Sequence, residues 1–268
     1  APLVVNCDNP VINLDGSNSD QTNSNFTWTA SAGGAFIGSG NSDTETTSTP
    51  GDYMLTVVNS VTLCSNDATV SVTDNFNTPT ADITVSNGGQ LDCNNSSLTL
   101  QGAGSTNDAG GTTGITYTWS TTSGGTSIGS GSSLSVSTAG DYYLLVEESI
   151  SGCTDETMVT ITSNTAVPTA IITNNNPLSC DSTSILLIGS TSTASGSLTY
   201  DWQDGTMTTL GTADAVTISS TGNYALEVTD ISNGCTSNAS VTVSEDITPP
   251  TVSVVSPIDI HCIDVNPS

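Results

Sequence analysis

Three stretches of this chain repeat one another in chemistry: "ETTSTPGDYMLTVVNSVTLCSNDATVSVT" from Glu45, "LSVSTAGDYYLLVEESISGCTDETMVTIT" from Leu134 and "AVTISSTGNYALEVTDISNGCTSNASVTV" from Ala215. Self-similarity on this scale means one structural unit used again, so the chain must fold as a series of like modules. Cysteines set the beat: Cys7, Cys93, Cys180 and Cys262 recur after 86, 87 and 82 residues. A second cysteine follows each of the first three, after 57, 60 and 55 residues, at Cys64, Cys153 and Cys235. Trp28, Trp119 and Trp202 keep the same beat, as do Tyr53, Tyr142 and Tyr224, each just behind a Gly turn. A period this long is that of a domain array rather than a solenoid of short repeats.

Each unit has the same internal order. A leading strand follows a proline: "PTADITVS" (79–86), "PTAIIT" (168–173) and "PTVSVVS" (250–256). Then come a turn with the first cysteine, a short apolar strand such as "SLTLQG" (97–102), a polar loop and the Trp strand. An alternating strand ("SLSVS", 133–137), a Tyr-led strand ("DYYLLVEE", 141–148), the second cysteine and a last strand ("TMVTIT", 157–162) close the unit. About seven short strands with turn signals every 8–12 residues predict a β-sandwich. Helical periodicity is absent. The expected division is 1–76, 77–165 and 166–247 for three sandwiches, with 248–268 as a tail.

Charge narrows the function. The chain has no Lys or Arg and 26 Asp and Glu, for a net charge of −26. Nothing can neutralise nucleic-acid phosphates, so nucleic-acid binding is excluded. Anionic membrane surfaces would repel the chain. Isopeptide cross-links need a lysine and are excluded too. Disorder is the usual reading of high net charge, but the alternating apolar strands, three Trp and six Tyr can build small cores. A hydroxyl-rich acidic surface suits salty or calcium-rich surroundings, where ions screen self-repulsion. No stretch is long enough to span a bilayer, and no signal peptide is visible, so Ala1 is either a processed end or the start of a fragment.

A Y-x-W strand, then G-x-Y-x-(L/V)-x-V, then a loop with G-C-T and an x-V-T-V strand, resembles the Ig-like and PKD-like tandem repeats of large secreted surface proteins, adhesins of gliding and adhesive Bacteroidota above all. The resemblance covers essentially the whole chain, three times over. PKD repeats proper carry Gly-Asp-Gly after the Trp strand; only "QDGT" (203–206) approaches that, so the units are read as Ig-like. It implies an all-β array of Ig-like sandwiches, extracellular or at the cell surface.

Even spacing makes Cys7–Cys64, Cys93–Cys153 and Cys180–Cys235 the natural pairs, one disulfide per domain, tying loops at one end of each sandwich. Such bridges imply an oxidising, extracytoplasmic compartment. Each stabilises its unit by about 2–4 kcal/mol. Cys262 is left unpaired or with a partner in another subunit.

The ends overlap. "APLVVNCDNPVINLDG" aligns with "NGGQLDCNNSSLTLQG", so the first sandwich lacks its leading strand. The tail "PPTVSVVSPIDIHCIDVNPS" carries such a strand and little else. Two readings fit. Either 1–268 is a window on a longer array and the tail begins a fourth domain, or residues 249–268 add as a strand to the first sandwich of another copy, giving a head-to-tail polymer.

Other candidate sites divide as follows. Trp28, Trp119 and Trp202, with Tyr53, Tyr142 and Tyr224, are expected in the cores rather than on a sugar-binding platform. His261 is the sole histidine, so triad chemistry and zinc lack support. Adjacent acids, Glu147 with Glu148 and Asp155 with Glu156, are read as solvated surface rather than acid–base pairs. Calcium is the one ligand the hard oxygen donors suit, at Asp15 and Asp20 (with Asn18 and Asn25) in one loop and at Asp74, Asp82, Glu245 and Asp246 in the linkers. The linker 162–169 has no acid, which argues against a uniform calcium hinge. Asn25, Asn94, Asn95 and Asn238 lie in glycosylation sequons, and Ser182 in an Asp-Ser-Thr context like an O-glycosylation signal of Bacteroidota. The expected function is non-enzymatic: an extracellular subunit or stalk of a surface filament or large adhesin. Its expected partners are copies of itself or flanking repeats, with no membrane insertion and no cofactor other than calcium. The alternatives are a carbohydrate- or calcium-dependent adhesion module, or an accessory array of a secreted hydrolase.

Overall fold

The computed structural model describes residues 3–31, 33–173 and 176–255. His261 and Cys262 lie outside them. The chain divides into two units, Ala1–Asn164 and Thr165–Ser268. The first unit contains two sandwiches. Strands β1 (Leu3–Asn6), β2 (Ile12–Asp15), β3 (Ser24–Ser31), β4 (Thr44–Thr47), β5 (Gly51–Asn59) and β6 (Ser65–Asn75) build one. Strands β7 (Thr84–Val85), β8 (Gln90–Leu91), β9 (Leu98–Gln101), β10 (Ile115–Ser120), β11 (Gly129–Ser130), β12 (Ser133–Val136), β13 (Gly140–Glu148) and β14 (Thr154–Ser163) build the other. The second unit contains β15 (Leu178–Ser179), β16 (Ile185–Ile188), β17 (Leu198–Asp204), β18 (Thr209–Gly211), β19 (Ala215–Ile218), β20 (Gly222–Asp230), β21 (Thr236–Val243) and β22 (Glu245–Asp246).

All three follow one plan, that of tandem Ig-like sandwiches. One sheet is an antiparallel meander of the Trp, Tyr and last strands: β3-β5-β6, β10-β13-β14 and β17-β20-β21. The opposing sheet pairs the short apolar strand with the alternating one: β2-β4, β9-β12 and β16-β19. Residues just before the first cysteine, read from sequence as part of a turn, instead pair in parallel with the end of the last strand, β1 with β6 and β8 with β14, or with the short strand that follows it, β15 with β22.

Alternation along the Tyr strands builds the cores. Tyr142, Leu144 and Val146 point inward from β13, and Tyr224, Leu226 and Val228 from β20. Each Trp lies in the core at the same place, 7 % exposed for Trp28 and 0 % for Trp119 and Trp202. Each indole N–H donates across the sandwich, to Ser42 O (3.1 Å), Gly131 O (2.9 Å) and Ala213 O (3.0 Å). A buried aromatic of this kind contributes area and a fixed polar anchor together. Room for the indole comes from Gly16, Gly102 and Gly189. A Cβ on any of them would run into a leucine (Leu55, Leu144 or Leu226), and on Gly102 or Gly189 it would crowd the indole as well. Each Tyr hydroxyl turns back to the residue four earlier, Thr49 O (2.8 Å), Thr138 O (3.0 Å) or Ser220 O (2.9 Å), forming the tyrosine corner of Ig-like folds.

The disulfides correct the sequence reading. Cys7 is bonded to Cys153, 146 residues away, with Cα atoms 5.0 Å apart. Cys64 and Cys180 are free and exposed. Cys93 and Cys235 are disulfide-bonded as well. The pairs Cys7–Cys64, Cys93–Cys153 and Cys180–Cys235 therefore do not form, because the two cysteines of one sandwich sit at opposite ends of it. Cys7 follows Asn6, which pairs with the far end of β6 at Asn75, whereas Cys64 precedes the start of β6 at Ser65. A strand of 11 residues separates them, about 30 Å at roughly 3.3 Å per residue. No disulfide spans more than about 7 Å between Cα atoms. The bridge instead joins the trailing end of one sandwich to the leading end of the next.

Candidate functional site

In the second and third sandwiches a small set of groups holds the leading strand. Thr80 exchanges backbone hydrogen bonds with Thr106 (2.7 and 2.9 Å), and Thr169 does so with Thr193 (2.7 and 3.0 Å). The Ser105 hydroxyl accepts from Asp82 N (3.0 Å) and donates to Asp82 O (3.3 Å). Ser192 treats Ile171 alike, at 2.9 and 3.3 Å. A side chain from the last strand takes the preceding N–H: Asp155 accepts from Ala81 (2.8 Å), and Ser237 from Ala170 (3.0 Å). Ser151 donates to Asn77 O (2.7 Å), and Asn233 to Ala166 O (2.9 Å), at the linker before it. Ala81 and Ile83, like Ala170 and Ile172, then pack on the core.

The first sandwich carries the same cradle. "GSNS" at 16–19 matches "GAGS" at 102–105 and "GSTS" at 189–192. Ser19 donates its backbone N–H to Gly16 O (2.9 Å) as Ser105 does to Gly102 and Ser192 to Gly189, which places Ser19 where they stand. Asn66 holds the position of Asp155 and Ser237, and Thr62 that of Ser151 and Asn233. Among the described residues no strand pairs with the outer edge of β2. A groove of about 470 Å³ opens there, lined by Leu3, Leu14, Ser19, Trp28, Leu55 and Val70. Far along the chain, Val252 and Val254 are 85 % and 88 % exposed. By alignment with "PTADITVS" they are the counterparts of Ala81 and Ile83.

The cysteines ride on two stereotyped turns. Before the first cysteine, Asn6, Asp92 and Ser179 each accept from the N–H three residues on (2.7, 2.7 and 3.0 Å) and donate their own N–H to that residue's carbonyl (3.1, 3.1 and 2.9 Å). Before the second, the backbones of Asn59, Glu148 and Asp230 each donate to the carbonyl of the cysteine five residues on, at 2.9 Å in all three loops. Their side chains cap the loop, Glu148 accepting from Ile150 N (3.1 Å) and Ser151 N (2.6 Å). The Ser151 N–H and, against burial, the Ile150 N–H hold the Glu148 carboxyl below the usual range. The Ser232 hydroxyl, opposed by burial and joined by Ser232 N–H, Ser195 and Gly196, pulls Asp230 down further. At the bonded joint Cys7 N also donates to Ser151 O (2.9 Å), and Asn6 Nδ2 to Ile150 O (3.3 Å).

The remaining candidates stay apart. Among the described residues no three His, Cys, Asp or Glu side chains converge where they could hold a metal ion. Asp15 and Asp20 instead cap turns, accepting from Ser17 N and Thr22 N at 2.9 Å each. Asp74 lies on β6, Asp82 on the leading strand, and Glu245 and Asp246 on β22, so no one place collects them. Glu147 is exposed and Glu148 buried, on opposite faces of β13, while Asp155 and Glu156 hold backbone N–H groups of Ala81 and Gly124. Asn25, Asn94, Asn238 and Ser182 are exposed, and Asn95 is half-buried with its amide on Asp92. The cradle residues Ser19, Asn66 and Thr62 were not found from sequence; the thrice-repeated G-x-x-S was the available signal.

No protein-family model matches the chain, and no curated protein matches it. Solved structures resemble it at low identity. The three N-terminal domains of the highly immunogenic outer capsid protein Hoc of bacteriophage RB49 share 13 % identity, with 92 % of this chain and 96 % of that one covered and a TM-score of 0.41. The full ectodomain (Ig1–Ig3) of mouse nectin-like molecule 4 shares 10 %, with 91 % and 96 % covered and a TM-score of 0.30. Extracellular domains 3–5 of Drosophila OTK share 10 %, with 87 % and 91 % covered and a TM-score of 0.27.

Proposed function

We propose that the chain is a non-enzymatic extracellular structural protein, the repeating subunit of a surface filament or large adhesin of the kind its repeats resemble in Bacteroidota. Residues 249–255 of one copy enter the first sandwich of the next and complete it. The observation that carries this reading is the cradle of the first sandwich. Ser19, Asn66, Thr62 and the groove over Leu14, Trp28 and Leu55 repeat the groups that hold residues 79–85 and 168–173 in their own sandwiches. An incoming strand would place Val252 and Val254 in the groove and offer the Ser253 backbone to Ser19. Strand addition satisfies the free edge of β2 and covers apolar surface in one step. A disulfide-bonded chain belongs in an oxidising compartment. Among the described residues no helix is long and apolar enough to cross a membrane, which says nothing of β-barrels. The three buried Trp cannot serve as a sugar platform, which weakens the carbohydrate-binding alternative.

The test is assembly of purified chain at moderate salt, since each copy carries −26 charge and repels the next at low ionic strength. Deleting 249–268 should abolish assembly, and Val254→Asp should weaken it severely. A synthetic peptide of residues 249–255 should bind the deleted form and protect β2 amides from hydrogen exchange. Filaments that survive the deletion would refute the reading.

A further inference from the structure

We propose that Cys64 and Cys180 are the open halves of a disulfide between copies, Cys180 of one copy bonding Cys64 of the copy that receives its tail. This rests on the strand-addition reading above. The bonded pair shows the rule: Cys7, on the first-cysteine turn of one sandwich, joins Cys153, on the second-cysteine loop of the sandwich that follows. Cys180 sits on the same turn as Cys7, with Ser179 bonded to Ser182 as Asn6 is to Asn9. Cys64 sits on the same loop as Cys153, closed by Asn59 N to Cys64 O as that one is by Glu148 N to Cys153 O. Both thiols are free and exposed. They are of opposite kind, one turn and one loop, so copies in series match them.

Linker length supports the match. Asn75, partner of Asn6, stands five residues before Thr80, where the second sandwich takes its leading strand. Asp246, partner of Ser179, stands five residues before Thr251, the counterpart of Thr80. A tail strand seated in the next copy therefore carries Cys180 to Cys64 along the same path that brings Cys7 to Cys153. One residue differs. Leu63 holds φ 61° where Gly152 and Gly234 hold 66° and 68°. A Cβ on Gly152 would strike the Asp8 carboxylate, so Asp181, the counterpart of Asp8, must turn aside from Leu63 at this joint.

The chemistry needs a two-electron oxidant, supplied by a small-molecule disulfide such as oxidised glutathione. The Cys180 thiolate attacks it, forming a mixed disulfide and releasing one thiolate. The Cys64 thiolate of the next copy then attacks the Cys180 sulfur and releases the second. Two protein protons are lost, one S–S bond forms and one small-molecule disulfide is reduced to two thiols.

The experiment uses the full chain with Cys262→Ser throughout. Cys64→Ser and Cys180→Ser forms are oxidised with glutathione disulfide, each alone and mixed, at salt that supports assembly. Denaturing electrophoresis without reductant is the readout. The parent should give a ladder, each single variant a lone band, and the mixture a two-chain species that grows no further. Acid-specific cleavage should then yield a peptide joining Cys64 to Cys180. Two-chain bands from a single variant in the yield of the mixture, or no linkage at all, overturn the proposal. If the parent assembles without a ladder, the staple fails and strand addition stands; if it neither assembles nor links, both fail.

Discussion

The first and second sandwiches share a framework and differ in how much apolar surface each buries. The second buries nine core residues around Trp119, with Ala81, Ile83 and Val85 of its leading strand packed against them. The first buries six around Trp28 and leaves a groove beside them. Its alternating strand is more polar too: Glu45 and Thr47 are buried on β4 where β12 has Leu134 and Val136. Glu45 accepts from Gly40 N (2.8 Å), and Thr47 bonds the Tyr53 hydroxyl (2.5 Å). The comparison teaches that one framework accommodates a smaller and more polar core when its buried polar groups find hydrogen-bond partners.

Core deletion should break the comparison most visibly. Trp119→Ala should destabilise the second sandwich by about 3–5 kcal/mol. Trp28→Ala should cost distinctly less, because the groove already removes part of the packing around its indole. Hydrogen exchange resolved by sandwich measures both, and equal losses would show the groove to be energetically closed.

Next in size is the staple. Cys7→Ser should remove about 2–4 kcal/mol from the joint of the first two sandwiches. Denaturant melts followed by separate signals from each should lose coincidence, and a reductant should act on the parent in the same way. Unchanged, coincident melts would mean that noncovalent contacts such as Cys7 N to Ser151 O carry the coupling.

A smaller effect is expected at Leu63. A branched side chain at φ 61° costs about 1–2 kcal/mol relative to glycine. Leu63→Gly should therefore stabilise the first sandwich by roughly 1 kcal/mol, and Gly152→Leu should harm the second more, because Asp8 lies against it. A neutral Leu63→Gly would mean that contacts of the leucine offset the backbone cost.

The smallest effect is a slope with pH. Glu148 and Asp230 have carboxyls held below their ordinary values, so the folded state favours their ionised forms. Their contribution is present above the unfolded value and is lost as pH falls through the lowered folded one. Melting temperature should drop on acidification below about pH 4.5, the ordinary glutamate value. Glu148→Gln should flatten that drop for the second sandwich, while the first, with Asn59 in the same place, should show less of it. A variant whose pH profile matches the parent would remove Glu148 from the account.

Much was legible before folding. The repeat fixed three like units. The spacing of Trp, Tyr and alternating strands fixed their class, because periodicity of two and a Tyr behind a Gly turn are local properties of the chain. The likeness of "PTVSVVS" to the leading strands "PTADITVS" and "PTAIIT" could be read from their alignment. The lack of Lys and Arg and the net charge of −26 could be read directly as well. What only the tertiary structure decided was which groups meet. Cysteine spacing suggested bonds within a sandwich, yet an 11-residue strand holds Cys7 and Cys64 at opposite ends, and the partner of Cys7 lies 146 residues away. Likewise the repeated G-x-x-S marks Ser19 without saying what it does, and Asn66 carries no mark of a strand cradle in the sequence. They gain that meaning only where the end of one strand and the turn of another bring a hydroxyl and an amide to the same edge. Spacing along a chain reports the unit that repeats, and distance through space depends on which end of a strand each residue occupies.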